Sequence, residues 1–291
     1  MPTPVEPGSP PRHALAPPRG LCFLTGCGRS GTTILGRMLS LHPAVAFLND
    51  RQELWVRSFP VADVWGRRSQ RLPSTRLALT ARHADDPGPP EDDRPVGRAA
   101  FYRRIEARRD GRPVVIEKLP INNFRLPFLH ALAPDAPFIN ILRHGVEVAW
   151  SIAARKQAGR WDGLDGRRSD YIRLHAIEHG YAEALGCCVT PFDLGLLEWR
   201  MSVEAAERFF ASTGAPTPLR LRYETLLAHP IRIVDQIDAF LSLPPSPDVR
   251  AFAAAHIARQ NPPAHERPTP PSAEPIAGDL LRRLGYWTSR P

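Results

Sequence analysis

The sequence predicts an α/β fold in which helices flank a central parallel sheet. Short apolar runs at 21–24, 114–116 and 137–142 have the length of buried strands, and each is followed by a turn and by apolar residues at helical spacing. Such repeated strand–turn–helix units favour a parallel sheet with right-handed crossovers. The 291 residues suffice for one large domain of this kind.

The chain is expected to form a single domain over 20–291, preceded by a proline-rich disordered tail at 1–19. Two stretches, 56–112 and 156–195, lack a clear pattern and are interpreted as insertions. We expect them to line a substrate pocket, although neither carries a recognisable motif.

The first strand leads into a glycine-rich turn that predicts an anion site. Gly26, Gly28 and Gly31 follow the strand, and a helix is predicted to open near Thr32. Glycines permit a tight turn and close approach of the backbone to a ligand, and a helix N-terminus directs backbone N–H groups at an anion. The same turn supplies side-chain donors from Arg29, Ser30, Thr32 and Thr33.

Two well-known phosphate loops match this turn only in part. In the nucleoside triphosphatase pattern G-x-x-x-x-G-K-[ST], Gly26 and Gly31 have the right spacing, but Thr32 replaces the lysine that neutralises the phosphates. The dinucleotide pattern G-x-G-x-x-G fits Gly26, Gly28 and Gly31, yet no acidic residue closes a strand about 20 residues further on.

The later units are predicted in order along the chain. A strand at 44–48 delivers polar residues to its C-terminal end, where open α/β sheets build their sites. Further elements are a strand at 113–118, a helix at 122–133, a strand at 137–142, a helix at 146–154, a helix at 196–212, a strand at 218–223 and a helix at 231–241.

A second motif places Arg143 at a strand end and Ser151 eight residues later in the following helix. A guanidinium and a hydroxyl so placed can bind one phosphate. Together with the glycine turn, this motif resembles sulfotransferases that use 3′-phosphoadenosine 5′-phosphosulfate (PAPS). In that family G-R-S-G-T-T, here 28–33, is the 5′-phosphosulfate loop, and Arg-x(7)-Ser binds the 3′-phosphate. His144-Gly145 replaces the family's usual Asp-Pro, and Arg155 matches a further 3′-phosphate contact of some members.

Two more stretches extend the resemblance, which covers about 20–286. The stretch beginning at Lys118 resembles the family's Lys-x-Pro-x-Asn segment. The stretch around Tyr223 resembles Arg-Tyr-Glu-x-Leu, whose tyrosine lies by the nucleotide. The resemblance implies a three-layer P-loop-like fold, PAPS as sulfuryl donor, Arg29 and Lys118 as catalytic cations, and no metal.

The resemblance also implies a carboxylate base, for which the chain offers two candidates. Ungapped counting from the loop against the tyrosylprotein branch reaches Asp50, where many members have glutamate. Glu53 instead resembles a glutamate pattern of the carbohydrate branch. Asp50 is narrowly favoured. A kinase-like nucleoside triphosphatase and a non-catalytic nucleotide-binding protein stay open as alternatives.

Charge and composition indicate which classes of partner and which cellular location to expect. The net charge is +8, but the arginines are scattered and no nucleic-acid-binding signature occurs, so we expect no nucleic acid partner. No apolar run has the length of a membrane span, no signal layout precedes the first strand, and four cysteines fit no disulfide or zinc framework. We therefore expect the protein to be cytoplasmic. Together with the resemblance, this location favours transfer to a hydroxyl or amine of a small-molecule, sugar or lipid acceptor. The sequence does not indicate the oligomeric state.

Overall fold

A computed structural model describes residues 20–51, 54–55, 58, 94–161, 168–212, 214–257 and 267–287. Five strands form one parallel sheet in the order β2-β3-β1-β4-β5, which confirms the predicted fold class. The strands are β1 Leu21–Thr25, β2 Val45–Asn49, β3 Val114–Lys118, β4 Phe138–Leu142 and β5 Leu219–Arg222. The predicted tail at 1–19, Glu53 and most of the predicted 56–112 insertion lie outside the described residues.

Helices connect and cover the strands. In chain order they are α1 Thr32–Leu39, α2 Arg94–Glu106, a 3₁₀ turn Pro120–Phe124, α3 Leu126–Leu132, α4 Gly145–Gln157, α5 Arg168–Glu178, α6 Ala182–Gly186, α7 Pro191–Ala211, α8 Tyr223–Ala228, α9 Pro230–Phe240, α10 Pro247–Phe252, a π-helical turn Ala253–Ile257 and α11 Ala273–Arg283.

The sheet separates two apolar clusters, which makes the fold three-layered. Successive side chains of a strand point to opposite faces. Phe23 of β1 therefore joins the cluster formed with α4, α7 and α11, whereas Cys22 and Leu24 join the cluster formed with α1 and α9. All five residues of β1 are buried, as expected for a strand covered on both faces.

The strand register gathers the C-terminal ends that carry the site. Leu24 of β1 pairs with Lys118 of β3, and Thr25 pairs with Asn140 of β4. On the far side of β3, Asn49 of β2 pairs with the same Lys118. The loop after β1, the end of β3, Asp50 after β2 and Arg143 after β4 therefore lie at one edge of the sheet.

Several predicted element boundaries were wrong, each for a local reason. The helix predicted over 122–133 is two pieces, because the chain leaves helical conformation at Arg125 and a new helix begins at Leu126, with Pro127 in its first turn. Helix α7 begins at Pro191 rather than at 196, since Thr190 and Asp193 form a capping box there. Tyr223 begins α8 instead of ending the strand. The segment 156–195 contains α5 and α6.

Candidate donor and transfer site

The loop between β1 and α1 adopts a conformation that needs its glycines. Gly26 has φ 148° and Gly31, the residue that caps α1, has φ 93°, and both values favour glycine. Arg29 also lies in the left-handed region, with φ 73°. A non-glycine residue held there is a mark of functional sites, because the surrounding structure must stabilise the strained backbone.

The loop contains a buried hydroxyl whose hydrogen-bonding capacity is unused within the described residues. Ser30 is 1% exposed and its Oγ has no hydrogen-bond partner there. Leaving a buried hydroxyl unsatisfied costs about 1–3 kcal/mol, so such a group fits a ligand acceptor such as a phosphate oxygen. Thr32 beside it is also buried.

Three arginines converge next to this loop. The Arg29 Nε donates to Ser151 Oγ at 2.9 Å, and an Arg143 N–H donates to the Arg29 backbone oxygen at 3.0 Å. Burial lowers the pKa of Arg29, and the charges of Arg155 and Arg143 lower it further. Like charges so close together favour binding of an anion, which would relieve their repulsion.

Tyr223 packs directly against the loop. A Cβ on Gly31 would lie 2.3 Å from a ring carbon of Tyr223, so only glycine allows this contact. The Arg143 guanidinium lies over the same ring at 4.5 Å from its centroid, a cation–π contact that also fixes the arginine. The structure thus brings the predicted residues Gly31, Arg143 and Tyr223 together.

The turn after β4 contains His144 and Gly145, at the positions where the family that the sequence resembles has Asp-Pro. The His144 side chain caps α4 by accepting from the backbone N–H of Val146. Gly145 is small because a Cβ there would lie 2.6 Å from the Trp199 ring. The Trp199 Nε1–H in turn donates to the Arg143 backbone oxygen at 3.0 Å.

Lys118 and Asp50 form an ion pair at the ends of β3 and β2. The Lys118 Nζ lies 3.1 and 3.2 Å from the two carboxylate oxygens of Asp50 and 3.4 Å from Thr33 Oγ1. The lysine side chain is 2% exposed and the aspartate side chain 46%. Burial lowers the pKa of Lys118, and Asp50 partly offsets this effect.

The backbone at position 50 explains why an aspartate stands there. Asp50 has φ 52°, a region that Asp and Asn occupy more readily than longer side chains do. Its backbone N–H donates to the Lys118 carbonyl at 2.9 Å, which fixes the carboxylate beside the lysine. Glu53, the other candidate base, lies outside the described residues.

A buried polar cluster, to which the sequence motifs assign no role, lies beside Lys118. The Glu117 carboxylate is fully buried and accepts from Trp55 Nε1 at 2.9 Å and from Asn122 Nδ2 at 2.7 Å. Burial raises the pKa of Glu117. Arg125 lies over the Trp55 ring at 4.0 Å and donates to Asn122 Oδ1. The cluster ties the chain just after Asp50 to β3.

Sequence reasoning also missed a second aromatic contact with the loop, at Gly28. The ring of Trp161 reaches Gly28, and the guanidinium of Arg168 lies over that ring at 4.5 Å from its centroid. Glu198 of α7 forms an ion pair with Arg168. No local pattern connects these residues, because they are brought together from three separate segments.

A cavity adjoins the loop that carries Ser30. It measures ≈ 390 Å³ and runs beside β4 and β5, with Cys27 and Ser30 of the loop among its lining residues. This volume is typical of small-molecule sites. Within the described part of the chain, no group of three or more His, Cys, Asp or Glu side chains could hold a metal ion. In the same part, no helix is both long and apolar enough to cross a membrane.

This fold and site define a three-layer α/β protein with a glycine-rich loop between β1 and α1, and the sequence of that loop lacks the lysine of nucleoside triphosphatases. A model of the sulfotransferase family matches residues 22–248, and the chain belongs to that family. The nodulation protein NoeE of Sinorhizobium fredii is 30% identical over 135 residues, which are 45% of this chain and 30% of NoeE. The chain therefore matches about a third of that curated relative.

Two solved structures share the fold at low sequence identity. The sulfotransferase domain from the Synechococcus PCC 7002 olefin synthase has a TM-score of 0.55 and 16% identity, over 94% of this chain and 97% of that one. Sulfotransferase STF9 from Mycobacterium avium has a TM-score of 0.53 and 15% identity, over 92% of this chain and 77% of that one.

Proposed function

We propose that this protein transfers the sulfuryl group of PAPS to a hydroxyl or amine of a small-molecule, sugar or lipid acceptor. One observation carries the proposal: Arg29, Arg143 and Arg155 lie close together at the loop that carries Ser30, whose buried hydroxyl has no partner among the described residues, and the Lys118–Asp50 pair lies at the adjoining strand ends. A cationic donor site next to a carboxylate–lysine pair is the arrangement that group transfer from a phosphosulfate requires.

The donor side has hydrogen-bond donors and arginines for both anionic groups of PAPS, the 5′-phosphosulfate and the 3′-phosphate. We assign the 5′-phosphosulfate to the loop at 28–33, whose backbone N–H groups, Ser30 and Thr33 donate hydrogen bonds. We assign the 3′-phosphate to Arg143, Ser151 and Arg155, since Arg143 and Ser151 already contact Arg29. Tyr223, which packs on the loop, would then border the nucleotide.

The transfer side has a base and two cations. PAPS, when bound, supplies an activated sulfuryl group that leaves a phosphate oxygen in line with the attacking acceptor. Asp50 takes the proton of the acceptor hydroxyl or amine, acting as general base. Lys118 and Arg29 stabilise the charge on the transferred group and on the departing oxygen. Because Lys118 already holds Asp50 at 3.1 Å, it also orients the base.

The two alternatives are less well supported. A kinase-like triphosphatase needs a cation at position 32, where this chain has threonine. A protein that only binds nucleotides has no need of a buried lysine beside a half-exposed carboxylate, since burying a charge is costly without a function or a partner.

Replacing the base tests the proposal directly. We expect Asp50→Asn to lower kcat by about 10²–10⁴-fold, because asparagine cannot accept the proton. Asparagine suits the left-handed backbone at this position, and its amide oxygen can still accept a hydrogen bond from Lys118 Nζ, so the local conformation should be retained. The loss of the negative charge beside Lys118 should lower stability, and thermal unfolding of the variant measures that loss. The measurement is transfer from radiolabelled PAPS to a panel of phenols, sugars and long-chain alcohols.

Two controls make the result interpretable. Binding of the donor product, 3′-phosphoadenosine 5′-phosphate (PAP), should be nearly unchanged in Asp50→Asn, since Asp50 is placed on the transfer side. Glu53→Gln is measured in parallel. Unchanged turnover in Asp50→Asn with a large loss in Glu53→Gln would transfer the base role to Glu53, and no transfer by the wild type to any acceptor would count against the enzyme proposal.

A further inference from the structure

We infer that Trp161 is a positioning residue for the phosphate loop, and that it forms the second half of an aromatic clamp of which Tyr223 is the first. The inference rests on the proposed donor site and adds to it a residue from outside the motifs. Each ring packs on a glycine of the loop and carries a stacked arginine.

The contact at Gly28 has a different cause from the contacts at the other loop glycines. Gly26 and Gly31 have positive φ angles, whereas Gly28 is not among the residues in that region. A Cβ on Gly28 would lie 2.8 Å from Cη2 of Trp161, a distance that forces either the ring or the loop to move. Glycine at 28 is therefore required by the approach of the ring, not by the backbone conformation.

Trp161 is held in place by a buried ion pair. Arg168 lies over its ring, and the Arg168 guanidinium pairs with Glu198, whose side chain is 3% exposed. Burial lowers the pKa of Arg168, but the Glu198 carboxylate more than offsets this effect and Asp50 adds to it, so that the pKa is raised. Arg168 therefore remains charged over the ring.

Helix α7 supports both halves of the clamp from adjacent residues. Glu198 holds the arginine that stacks on Trp161. Trp199 donates to the Arg143 backbone oxygen, and Arg143 stacks on Tyr223. Because the two rings contact two different glycines of the same loop, a shift at either ring should change the position of the backbone N–H groups that we assign to the donor phosphates.

A double-mutant cycle at the contact tests the inference. Gly28→Ala should weaken PAP binding, measured by calorimetry, by about tenfold or more, since overpacking a rigid contact displaces the loop. Trp161→Phe removes the tip of the ring and should weaken binding only a few-fold. The combined variant Gly28→Ala/Trp161→Phe should bind no worse than Trp161→Phe alone, because the added methyl group then has room.

One control variant and two contrary outcomes complete the test of the clamp. Gly186→Ala is the matched control, since nothing lies within 4 Å of a Cβ there, and it should bind PAP like the wild type. Wild-type affinity in Gly28→Ala would overturn the inference. The inference would also be overturned if Gly28→Ala lowered PAP affinity equally in the wild type and in Trp161→Phe. The glycine would then be required by the ligand and not by Trp161.

The same cycle separates this inference from the proposed function. If the wild type binds no PAP, the donor assignment fails, and the clamp is then judged from thermal unfolding. Gly28→Ala should lower Tm relative to the wild type. In the Trp161→Phe background, the addition of Gly28→Ala should cause no further decrease in Tm. A decrease in Tm that is the same in both backgrounds would overturn the clamp even if PAP binds.

Discussion

At the scale of single residues, the site depends on a few side chains in costly environments. Arg29 and Asp50 adopt left-handed backbone conformations, Lys118 is a buried cation and Ser30 has a buried hydroxyl without a partner among the described residues. Such unfavourable features cluster at sites where ligand binding or catalysis depends on them. The sequence predicted these residues because they lie in motifs, but it missed Trp161, whose partners are distant in the chain.

The buried lysine leads to a prediction about pH. Since burial lowers the pKa of Lys118 from 10.5, kcat should decline on the alkaline side at a lower pH than an ordinary lysine would require. Lys118→Arg should move this decline to higher pH, because arginine stays protonated. The pH profile of kcat is the measurement, and Lys156→Arg, at the only other lysine of the chain, is the control. An alkaline limb that is the same in Lys118→Arg and the wild type would contradict the assignment.

The lowered pKa of Lys118 also determines how the free energy of unfolding changes with pH. Between the lowered pKa of Lys118 and 10.5, the unfolded chain binds more protons than the folded protein does. The free energy of unfolding contributed by this group therefore rises with pH across that window.

At the scale of elements, α7 connects the core to the site. It packs along α4 in the core and carries Glu198 and Trp199, which hold Arg168 and the turn at Arg143. Apolar periodicity predicted most of this helix, but not its first turn. That turn depends on the capping box of Thr190 and Asp193, a side-chain effect that periodicity does not detect.

The cap gives a prediction about stability. Thr190→Ala removes the side chain that accepts from the Asp193 backbone N–H, and should lower the free energy of unfolding by about 1 kcal/mol. Urea denaturation measures this change, with the exposed Thr217→Ala as the control. A loss in Thr190→Ala no larger than in the control would show that the cap does not stabilise α7.

At the scale of the whole molecule, the sequence predicted the parallel α/β sheet but not its strand order. Apolar runs and turns reveal which segments are strands, since those signals are local. The order β2-β3-β1-β4-β5 and the pairing of Lys118 with both Leu24 and Asn49 depend on crossovers and on packing across the sheet. That register brings together the four strand ends that carry Arg29, Asp50, Lys118 and Arg143.

The most direct test of the central claim is calorimetric titration of the full chain with PAP, beside ATP with magnesium. We expect PAP to bind more tightly than ATP, and Arg143→Ala to weaken PAP binding by about 10–100-fold, as the loss of charged hydrogen bonds implies. The exposed Arg37→Ala should bind like the wild type. Tighter binding of ATP, or unchanged PAP affinity in Arg143→Ala, would contradict the claim that this cradle holds a 3′-phosphorylated sulfuryl donor.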